Sequence, residues 1–244
     1  MRHDDDSARA PQLAIGTGEM LKVEAADDNL VELVHDFKSP LATISLEMSL
    51  LQETVAQNAT PAVRASIARI ARNVAYIDRL VRDLLDSSSI DAGELSLQRR
   101  PTELCNLLRL VIDRSVASRD RARIYLDVRE HVVVNLDAPR IERVVANMLS
   151  NALKYGPTTG GIIIRLEQLA GSVRISVIDG GPGVADSARR LIFERFMRTP
   201  DARTHEGSGL GLYVSRKIVE AHGGTIGADH VAHVGSRFFF ELPA

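Results

Sequence analysis

The sequence predicts an α+β fold, in which an antiparallel helical hairpin forms a dimeric four-helix bundle and is followed by an α/β sandwich. Two observations lead to this expectation. A heptad pattern of apolar residues occurs twice between residues 30 and 84, with a short break that contains Pro61. After Pro101, short strand-like runs alternate with amphipathic helical stretches, which is typical of a mainly antiparallel sheet with helices on one face.

The first heptad helix follows a lead-in, residues 1–27, that shows no sustained periodicity and is expected to be flexible. Thr60 and Pro61 suit the N-cap and first turn of the second helix. The first seam consists of Leu30, Val34, Phe37, Leu41, Ile44, Met48, Leu51 and Val55. The second seam consists of Val63, Ile67, Ile70, Val74, Ile77, Val81 and Leu84.

Two heptad helices joined by a short break predict an antiparallel hairpin. One hairpin has little core, whereas two hairpins bury both seams, so we expect a homodimer through residues 28–90. The alternative is that the hairpin packs on the rest of its own chain. The second helix is expected to end from Ser87 onward, which gives a hairpin domain at 28–92, a linker at 93–100 and a second domain at 101–244.

The second domain is predicted to mix strands and helices. The expected strands are residues 123–128, 132–136, 161–167, 173–178, 224–228 and 237–242. The expected helices are residues 102–118, 140–154, 186–195 and 209–222.

Composition excludes several classes of protein. The 244 residues are 45% hydrophobic and 25% charged, with a net charge of −2, which gives no indication of nucleic-acid binding. No apolar run approaches the roughly 18 residues of a membrane span. The single cysteine, Cys105, has neither a disulfide partner nor a zinc-ligand spacing, so we expect a cytoplasmic protein.

A polar cluster lies near the start of the first helix. His35 follows the seam residue Val34, so it faces solvent, and it is adjacent to Asp36. Pro40 frees the carbonyl of Asp36 and is expected to kink the helix there. An exposed histidine beside a carboxylate is common, so these residues alone do not separate a reactive site from an ordinary surface.

Two segments of the second domain suggest ligand binding. Asn147 and Asn151 lie one turn apart and share a helix face with Lys154, which suits Mg²⁺ and phosphate respectively. A buried-type strand ends in Asp179, and the glycines that follow it (residues 180, 181 and 183) would let the backbone approach a planar ring. Each segment alone also fits an ordinary amphipathic helix or a glycine turn.

Two further segments suit anions. Residues 207–212, Gly-Ser-Gly-Leu-Gly-Leu, open a helix, and free N–H groups at such a start favour phosphate. Residues 192–198 supply Arg195 and Arg198 and suit a lid near phosphates, although Phe193 and Phe196 also fit a short core helix.

The order of these segments resembles that of a bacterial two-component sensor histidine kinase over about residues 28–244. Residues 35–41 are similar to the H box of the dimerisation and phosphotransfer domain (HisKA type), and residues 147–155 to the N box. Residues 179–183 resemble the first glycine box, residues 193–196 the F box, and residues 207–212 the second glycine box. The resemblance implies an ATP-binding sandwich of the GHKL (Bergerat) type, which is shared with gyrase.

The resemblance implies a role for each matched residue. His35 would accept the γ-phosphoryl group of ATP, Asp36 would orient its ring, and Ser39 would orient water in a phosphatase reaction. Asn151 would bind Mg²⁺ with support from Asn147. The other implied nucleotide-binding residues are Lys154, Tyr155, Asp179, Gly181, Gly183, Arg195, Arg198, Gly207, Ser208, Gly209, Leu210 and Gly211.

The implied activity is autophosphorylation of His35 followed by transfer to an aspartate of a response regulator, with dephosphorylation of that regulator as a second activity. About 27 residues precede the heptad pattern, too few for a sensory domain, so a separate sensory partner is expected, the alternative being an unregulated kinase. Two alternatives are a nucleotide-binding scaffold that does not phosphorylate, and an ATPase of the gyrase class. Asn147 argues against the ATPase, because the hydrolysing relatives carry a Glu base there.

Overall fold

The computed structural model describes residues 41–51, 60–93, 95–199, 208–231 and 235–244. Predictions for His35, Asp36, Ser39, Pro40 and Gly207 lie outside these residues. The chain divides into two compact units, Met1–Ala71 and Arg72–Ala244, and the boundary between them falls inside a helix.

Two helices carry the heptad pattern. Residues 41–51 are helical and form α1, and α2 spans Pro61–Asp91. The Oγ1 of Thr60 accepts a hydrogen bond from the N–H of Val63 at 3.4 Å, which confirms the predicted N-cap and first-turn proline. Within the part of the chain that the structure describes, no helix combines the length and apolar character needed to cross a membrane.

The apolar seams contain a buried row and an exposed row. The buried row is Leu41, Met48, Val74 and Val81. In the exposed row 44–49% of each residue is open to solvent, and its members are Ile44, Leu51, Val63, Ile70 and Ile77. Each unit therefore leaves apolar seam residues in water, Ile77 in the second unit and the other four in the first, and exposed apolar residues of this kind mark interaction surfaces.

The second unit contains the mixed region. Its further helices are α3 (Leu104–Ser115), α4 (Ser118–Arg121), α5 (Ala138–Tyr155) and α6 (Gly211–Ala221). Its strands are β1 (Arg100–Glu103), β2 (Ile124–Val128), β3 (Val133–Leu136), β4 (Ile162–Leu169), β5 (Ser172–Asp179), β6 (Thr225–Val231) and β7 (Gly235–Pro243).

Five strands form one sheet in the order β2-β4-β5-β7-β6. The pairs β4–β5, β5–β7 and β6–β7 are antiparallel, and β2 pairs with β4 in parallel. Strands β1 and β3 form a separate antiparallel pair. The prediction of a mainly antiparallel sheet combined with helices is confirmed.

The core of this unit is built from alternate strand residues and from helix stripes. In β4, Ile162, Ile164 and Leu166 are each at most 5% exposed, as expected of a strand with one buried face. Helix α5 buries residues at helical spacing, namely Ile141, Val144, Val145, Met148, Leu149 and Ala152. Truncation of the fully buried Leu149 to Ala would destabilise the fold by roughly 2–5 kcal/mol.

The predicted helix at 102–118 begins later than expected, at Leu104. Thr102 and Glu103 instead belong to β1, which pairs with β3. The Glu103 carboxylate caps α3 by accepting hydrogen bonds from the N–H groups of Cys105 and Asn106. Helix α3 therefore begins two residues later than predicted, and Glu103 is its N-cap.

Two other local predictions are wrong. Residues 186–195 form two short 3₁₀ turns, Asp186–Ala188 and Leu191–Phe193, in place of one helix. Helix α2 does not end from Ser87 onward as predicted but continues to Asp91. Ser87 and Ser88 are buried, so tertiary packing overrides the preference of serine for turns.

Ion pairs hold the end of α2 to α5 within the second unit. Arg140 Nη1 lies 3.0 Å from Asp86 Oδ1, and Arg143 pairs with both Asp83 and Asp86. Asp83 is only 7% exposed. Loss of Arg143 would leave the poorly solvated carboxylate of Asp83 without its partner, so these pairs hold the end of α2 on α5.

A buried histidine ties the end of α6 to the start of α5. The Nε2 of His222 accepts a hydrogen bond from the N–H of Asp137 at 3.0 Å, and its Nδ1–H donates to the Ile218 carbonyl at 2.7 Å. Because a backbone N–H can only donate, Nε2 carries no proton and the ring is neutral. Burial lowers the pKa of His222, and Arg99 and Arg140 lower it further against the opposing hydrogen bond to Ile218.

Acidification should destabilise the wild-type protein more steeply than a His222→Gln variant. The pKa of His222 is lower in the folded state than its unfolded value of about 6.5, so its contribution is complete above about pH 6.5. That contribution declines as the pH falls further, until the folded-state pKa is reached. Melting temperatures between about pH 7.5 and 5 measure this difference.

His131→Gln is the matched control, because that side chain is 94% exposed. It should keep the wild-type dependence of melting temperature on pH. Equal slopes for wild type and His222→Gln would show that His222 does not couple folding to protonation.

Candidate functional site

Asp179 is the last residue of β5 and is only 3% exposed. Its Oδ1 accepts a hydrogen bond from the N–H of Gly181 at 2.7 Å, and the hydroxyl of Ser236, its partner on β7, also bonds the carboxylate. Burial raises the pKa of Asp179, and these two hydrogen bonds oppose the rise. The end of the strand therefore holds a fixed and largely desolvated acceptor.

The first glycine box closes around this carboxylate. A Cβ at Gly181 would lie 2.5 Å from Asp179 Oδ1 and 3.2 Å from the carbonyl oxygen of Tyr155, so only glycine fits. Gly183 has a φ of +79°, and its N–H donates to Ser236 Oγ at 3.1 Å. The box thus joins Asp179 to the C-terminal end of α5.

Helix α5 carries the predicted N-box residues. Asn147 and Asn151 lie one turn apart, and both are half-buried. The Nδ2 of Asn147 donates to Ser215 Oγ on α6 at 3.0 Å. Lys154 Nζ donates to the Tyr155 hydroxyl at 2.9 Å and lies 4.6 Å from the centre of that ring. Amide oxygens and an ammonium group are therefore arranged along one part of α5.

The second glycine box turns the chain into α6, which begins at Gly211. Ser208 Oγ accepts a hydrogen bond from the N–H of Leu210 at 3.1 Å, and Leu210 is 3% exposed. The first N–H groups of a helix lack partners within it, and together with the helix dipole they favour an anion. This end of α6 suits phosphate.

Close contacts explain two glycines of this box. Gly209 has a φ of +74°, and a Cβ there would lie 2.7 Å from the carbonyl carbon of Phe196. A Cβ at Gly211 would lie 2.5 Å from Asn147 Oδ1. The second glycine box is therefore packed between the F box and α5.

The F box combines a buried and an exposed ring. Phe193 is 4% exposed, whereas Phe196 is 57% exposed and has a φ of +60°, which is unusual for a bulky residue. The Arg195 guanidinium lies 5.1 Å from the centre of the Phe196 ring. Arg216 on α6 pairs with Glu194 at 2.7 Å and lowers the pKa of that carboxyl. A charge pair thus joins the F box to α6.

These contacts form a continuous path through most of the predicted site. The path runs from Asp179 through Gly181 to Tyr155, then along α5 to Asn147 and across to Gly211. Arg198, three residues after Arg195, is half-buried, and its role toward a phosphate stays a prediction. Four predicted residues, His35, Asp36, Ser39 and Gly207, lie outside the described residues.

Sequence reasoning missed two hydroxyls that orient the predicted residues. Ser236 reaches Asp179 only because β5 pairs with β7, a register that no local pattern reveals. Ser215 lies four residues after Gly211, and its Oγ donates to the Gly211 carbonyl at 2.8 Å. The helical spacing from Gly211 was visible in the sequence, but the partner on α5 was not.

The donor types present fit magnesium that arrives with a phosphorylated ligand. Among residues that the structure describes, no cluster of three or more His, Cys, Asp or Glu could hold a metal ion. Mg²⁺ at phosphate sites needs only one or two protein oxygens, because phosphates and waters complete its shell. The amide oxygens of Asn147 and Asn151 are donors of that kind.

Two family models match the chain. Residues 30–93 match the His Kinase A (phospho-acceptor) domain, and residues 136–244 match the histidine kinase-, DNA gyrase B- and HSP90-like ATPase. The second match contains the whole path from Asn147 to Gly211 described above. The first contains His35 and the two heptad seams.

Individual relatives agree with these matches. The adaptive-response sensory kinase SasA of Synechocystis is 34% identical over 230 residues, which cover 91% of this chain and 60% of SasA. Full-length ShkA in complex with AMPPNP has a TM-score of 0.68 at 28% identity, covering 88% of this chain and 45% of that one. The chain thus spans about three fifths of SasA.

A third likeness concerns the fold. Histidine kinase ThkA in complex with the response regulator protein TrrA has a TM-score of 0.59 at 24% identity, covering 95% of this chain and 62% of that one.

An Asp179→Asn variant should bind adenine nucleotides more weakly than wild type. The amide presents a donor where the carboxylate presents an acceptor, and a lost hydrogen bond to a charged group costs about 1.5–3 kcal/mol. Titration calorimetry with ADP should show a rise in Kd of roughly 10- to 100-fold. Asp186→Asn is the control, because that carboxylate is 87% exposed. Equal Kd values for the two variants would refute Asp179 as a hydrogen-bond acceptor for the nucleotide.

Proposed function

Because the chain belongs to the sensor histidine kinase family, we propose that it is an ATP-dependent protein-histidine kinase. In this proposal it autophosphorylates His35 and transfers the phosphoryl group to an aspartate of a response regulator. The observation that carries the proposal is the path from the buried Asp179 along α5 to the glycine-rich start of α6. The path offers an acceptor for the adenine amine at one end and helix N–H groups for phosphate at the other.

The nucleotide would lie along this path. Asp179 accepts a hydrogen bond from the adenine amino group, and Tyr155 packs near the base. Lys154 contacts phosphate as a charged donor. The phosphates are cradled by residues 207–211, with glycines that let the backbone approach closely. ShkA, whose fold is similar, was solved with the nucleotide AMPPNP, which supports this assignment.

The reaction would be an in-line displacement. The Nε2 of His35 attacks the γ-phosphorus, the bond from that phosphorus to the β–γ bridging oxygen breaks, and ADP leaves. Asp36 accepts a hydrogen bond from Nδ1–H, which keeps the lone pair of Nε2 directed at the phosphate. Arg195 or Arg198 offsets the charge of the transition state.

Asn147 favours transfer over hydrolysis. An amide is not a base and cannot take a proton from water, so an ATPase of the gyrase class would lack its general base here. Mg²⁺ would be held by Asn151 with support from Asn147, and it would neutralise charge on the phosphates. The presence of His35 and of both glycine boxes argues against a scaffold that binds nucleotide without phosphorylating.

A homodimer through residues 28–90 is part of the proposal. The exposed seam row, Ile44, Leu51, Val63, Ile70 and Ile77, would be covered by the same row of a second chain. The match to the phospho-acceptor domain over residues 30–93 supports this arrangement. Sedimentation of the protein at micromolar concentration should show a dimer, and a strict monomer would contradict it.

The proposed partners follow from the same family. A response regulator would receive the phosphoryl group, and ThkA, which shares the fold, was solved bound to such a protein. A separate sensory protein would supply the stimulus. The domain limits 28–92 and 101–244, with a linker at 93–100, and a cytoplasmic location remain predictions of this proposal.

Incubation with γ-labelled ATP and Mg²⁺ tests the acceptor. Wild type should acquire label that is labile in acid and stable in base, as a phosphohistidine is, whereas His35→Gln should acquire none. The exposed His131→Gln should label like wild type. Equal labelling of the wild-type and His35→Gln proteins would refute His35 as the acceptor, and ATP binding with no label on either would favour the scaffold.

The second activity is tested at Ser39. If its hydroxyl orients water, Ser39→Ala should remove phosphate from the phosphorylated regulator more slowly than wild type while still autophosphorylating. The rate of loss of label from the regulator in the presence of ADP measures this. If Ser39→Ala removes phosphate from the regulator as fast as wild type does, Ser39 does not orient the water.

A further inference from the structure

Ser215 occupies a position between the two halves of the proposed nucleotide site. It lies in the second turn of α6 and is 2% exposed. Its Oγ donates to the Gly211 carbonyl at 2.8 Å and accepts from Asn147 Nδ2 at 3.0 Å. The hydroxyl therefore bridges the second glycine box and the N box.

The chemistry of these three groups permits only one arrangement. The Gly211 carbonyl can only accept, so the single hydroxyl proton of Ser215 is directed toward it. Ser215 Oγ then has only lone pairs to offer Asn147. The amide must turn its NH₂ group toward Ser215, which directs its oxygen elsewhere.

The neighbouring backbone explains why the amide is held closely. The Oδ1 of Asn147 lies where a side chain of Gly211 would begin, because a Cβ there would be 2.5 Å from it. The carboxamide therefore lies in a narrow space beside the start of α6. In such a space the choice between its two orientations is made by hydrogen bonding.

We propose that Ser215 is a positioning residue that keeps the oxygen of Asn147, and not its NH₂ group, available to the magnesium-bound phosphates. This inference rests on the proposed nucleotide and magnesium binding. Without the hydroxyl, the amide can rotate and present a donor toward the cation, which repels it. Ser215 itself touches neither nucleotide nor metal.

The test is the effect of Mg²⁺ on nucleotide affinity, measured by calorimetry with ADP in the presence and absence of the metal. For Ser215→Ala the enhancement of affinity by Mg²⁺ should fall at least about fivefold relative to wild type, while affinity without metal should stay within about twofold. Ser215→Thr keeps the hydroxyl and should retain the enhancement. An unchanged enhancement in Ser215→Ala would overturn the proposal.

Two further variants separate positioning from a loss of packing. Ser176→Ala removes another fully buried hydroxyl, one that has no hydrogen-bond partner, and should leave the enhancement unchanged. In an Asn147→Ala background, Ser215→Ala should have no further effect on the enhancement, because Ser215 acts through Asn147. An additional loss in that background would contradict the proposal and show that Ser215 acts by another route.

Failure of the proposed function gives a different result. If wild type binds no adenine nucleotide, or binds it equally with and without Mg²⁺, the function assigned to the site is wrong and this role of Ser215 is overturned with it. If wild type shows the enhancement and Ser215→Ala keeps it, only the role of Ser215 is wrong.

Discussion

The packing of α6 against α5 is the constraint on which the site depends. Polar ties join the two helices at separate points, from Asp137 to His222 near the start of α5 and from Asn147 to Ser215 further along. Both helices also contribute fully buried residues, such as Met148 and Ile218, to one core. Sliding or rotating either helix would break both ties at once. The glycine-rich start of α6 is therefore held opposite the polar face of α5.

The two ends of the proposed nucleotide site are fixed by different physical means. The adenine end is fixed by sheet pairing, because Asp179 lies at the end of β5 and receives the hydroxyl of Ser236 from β7. The phosphate end is fixed by a helix start and by close backbone contact between Gly209 and the F box. Base recognition and phosphate handling thus depend on separate interactions. Substitutions at one end should leave the other largely intact.

Much of the fold could be predicted from the sequence, because its signals are local. The strand and helix periodicities, the Thr60 cap and the polar face of α5 are all read within a few residues. What could not be predicted depends on tertiary pairing. The serines at 87 and 88 stay helical because they are buried, and the roles of Ser215 and Ser236 exist only once distant elements meet. The site residues were identifiable by resemblance, whereas the residues that orient them were not.

In the proposed complex, one adenine nucleotide spans the path from Asp179 to the start of α6. Hydrogen exchange of the full chain, with and without saturating AMPPNP and Mg²⁺, tests it most directly. Exchange should be slower at residues 147–155, 179–183 and 208–215 when nucleotide is bound, and unchanged in α3, Leu104–Ser115. Saturated binding with no added protection in those three ranges would contradict it.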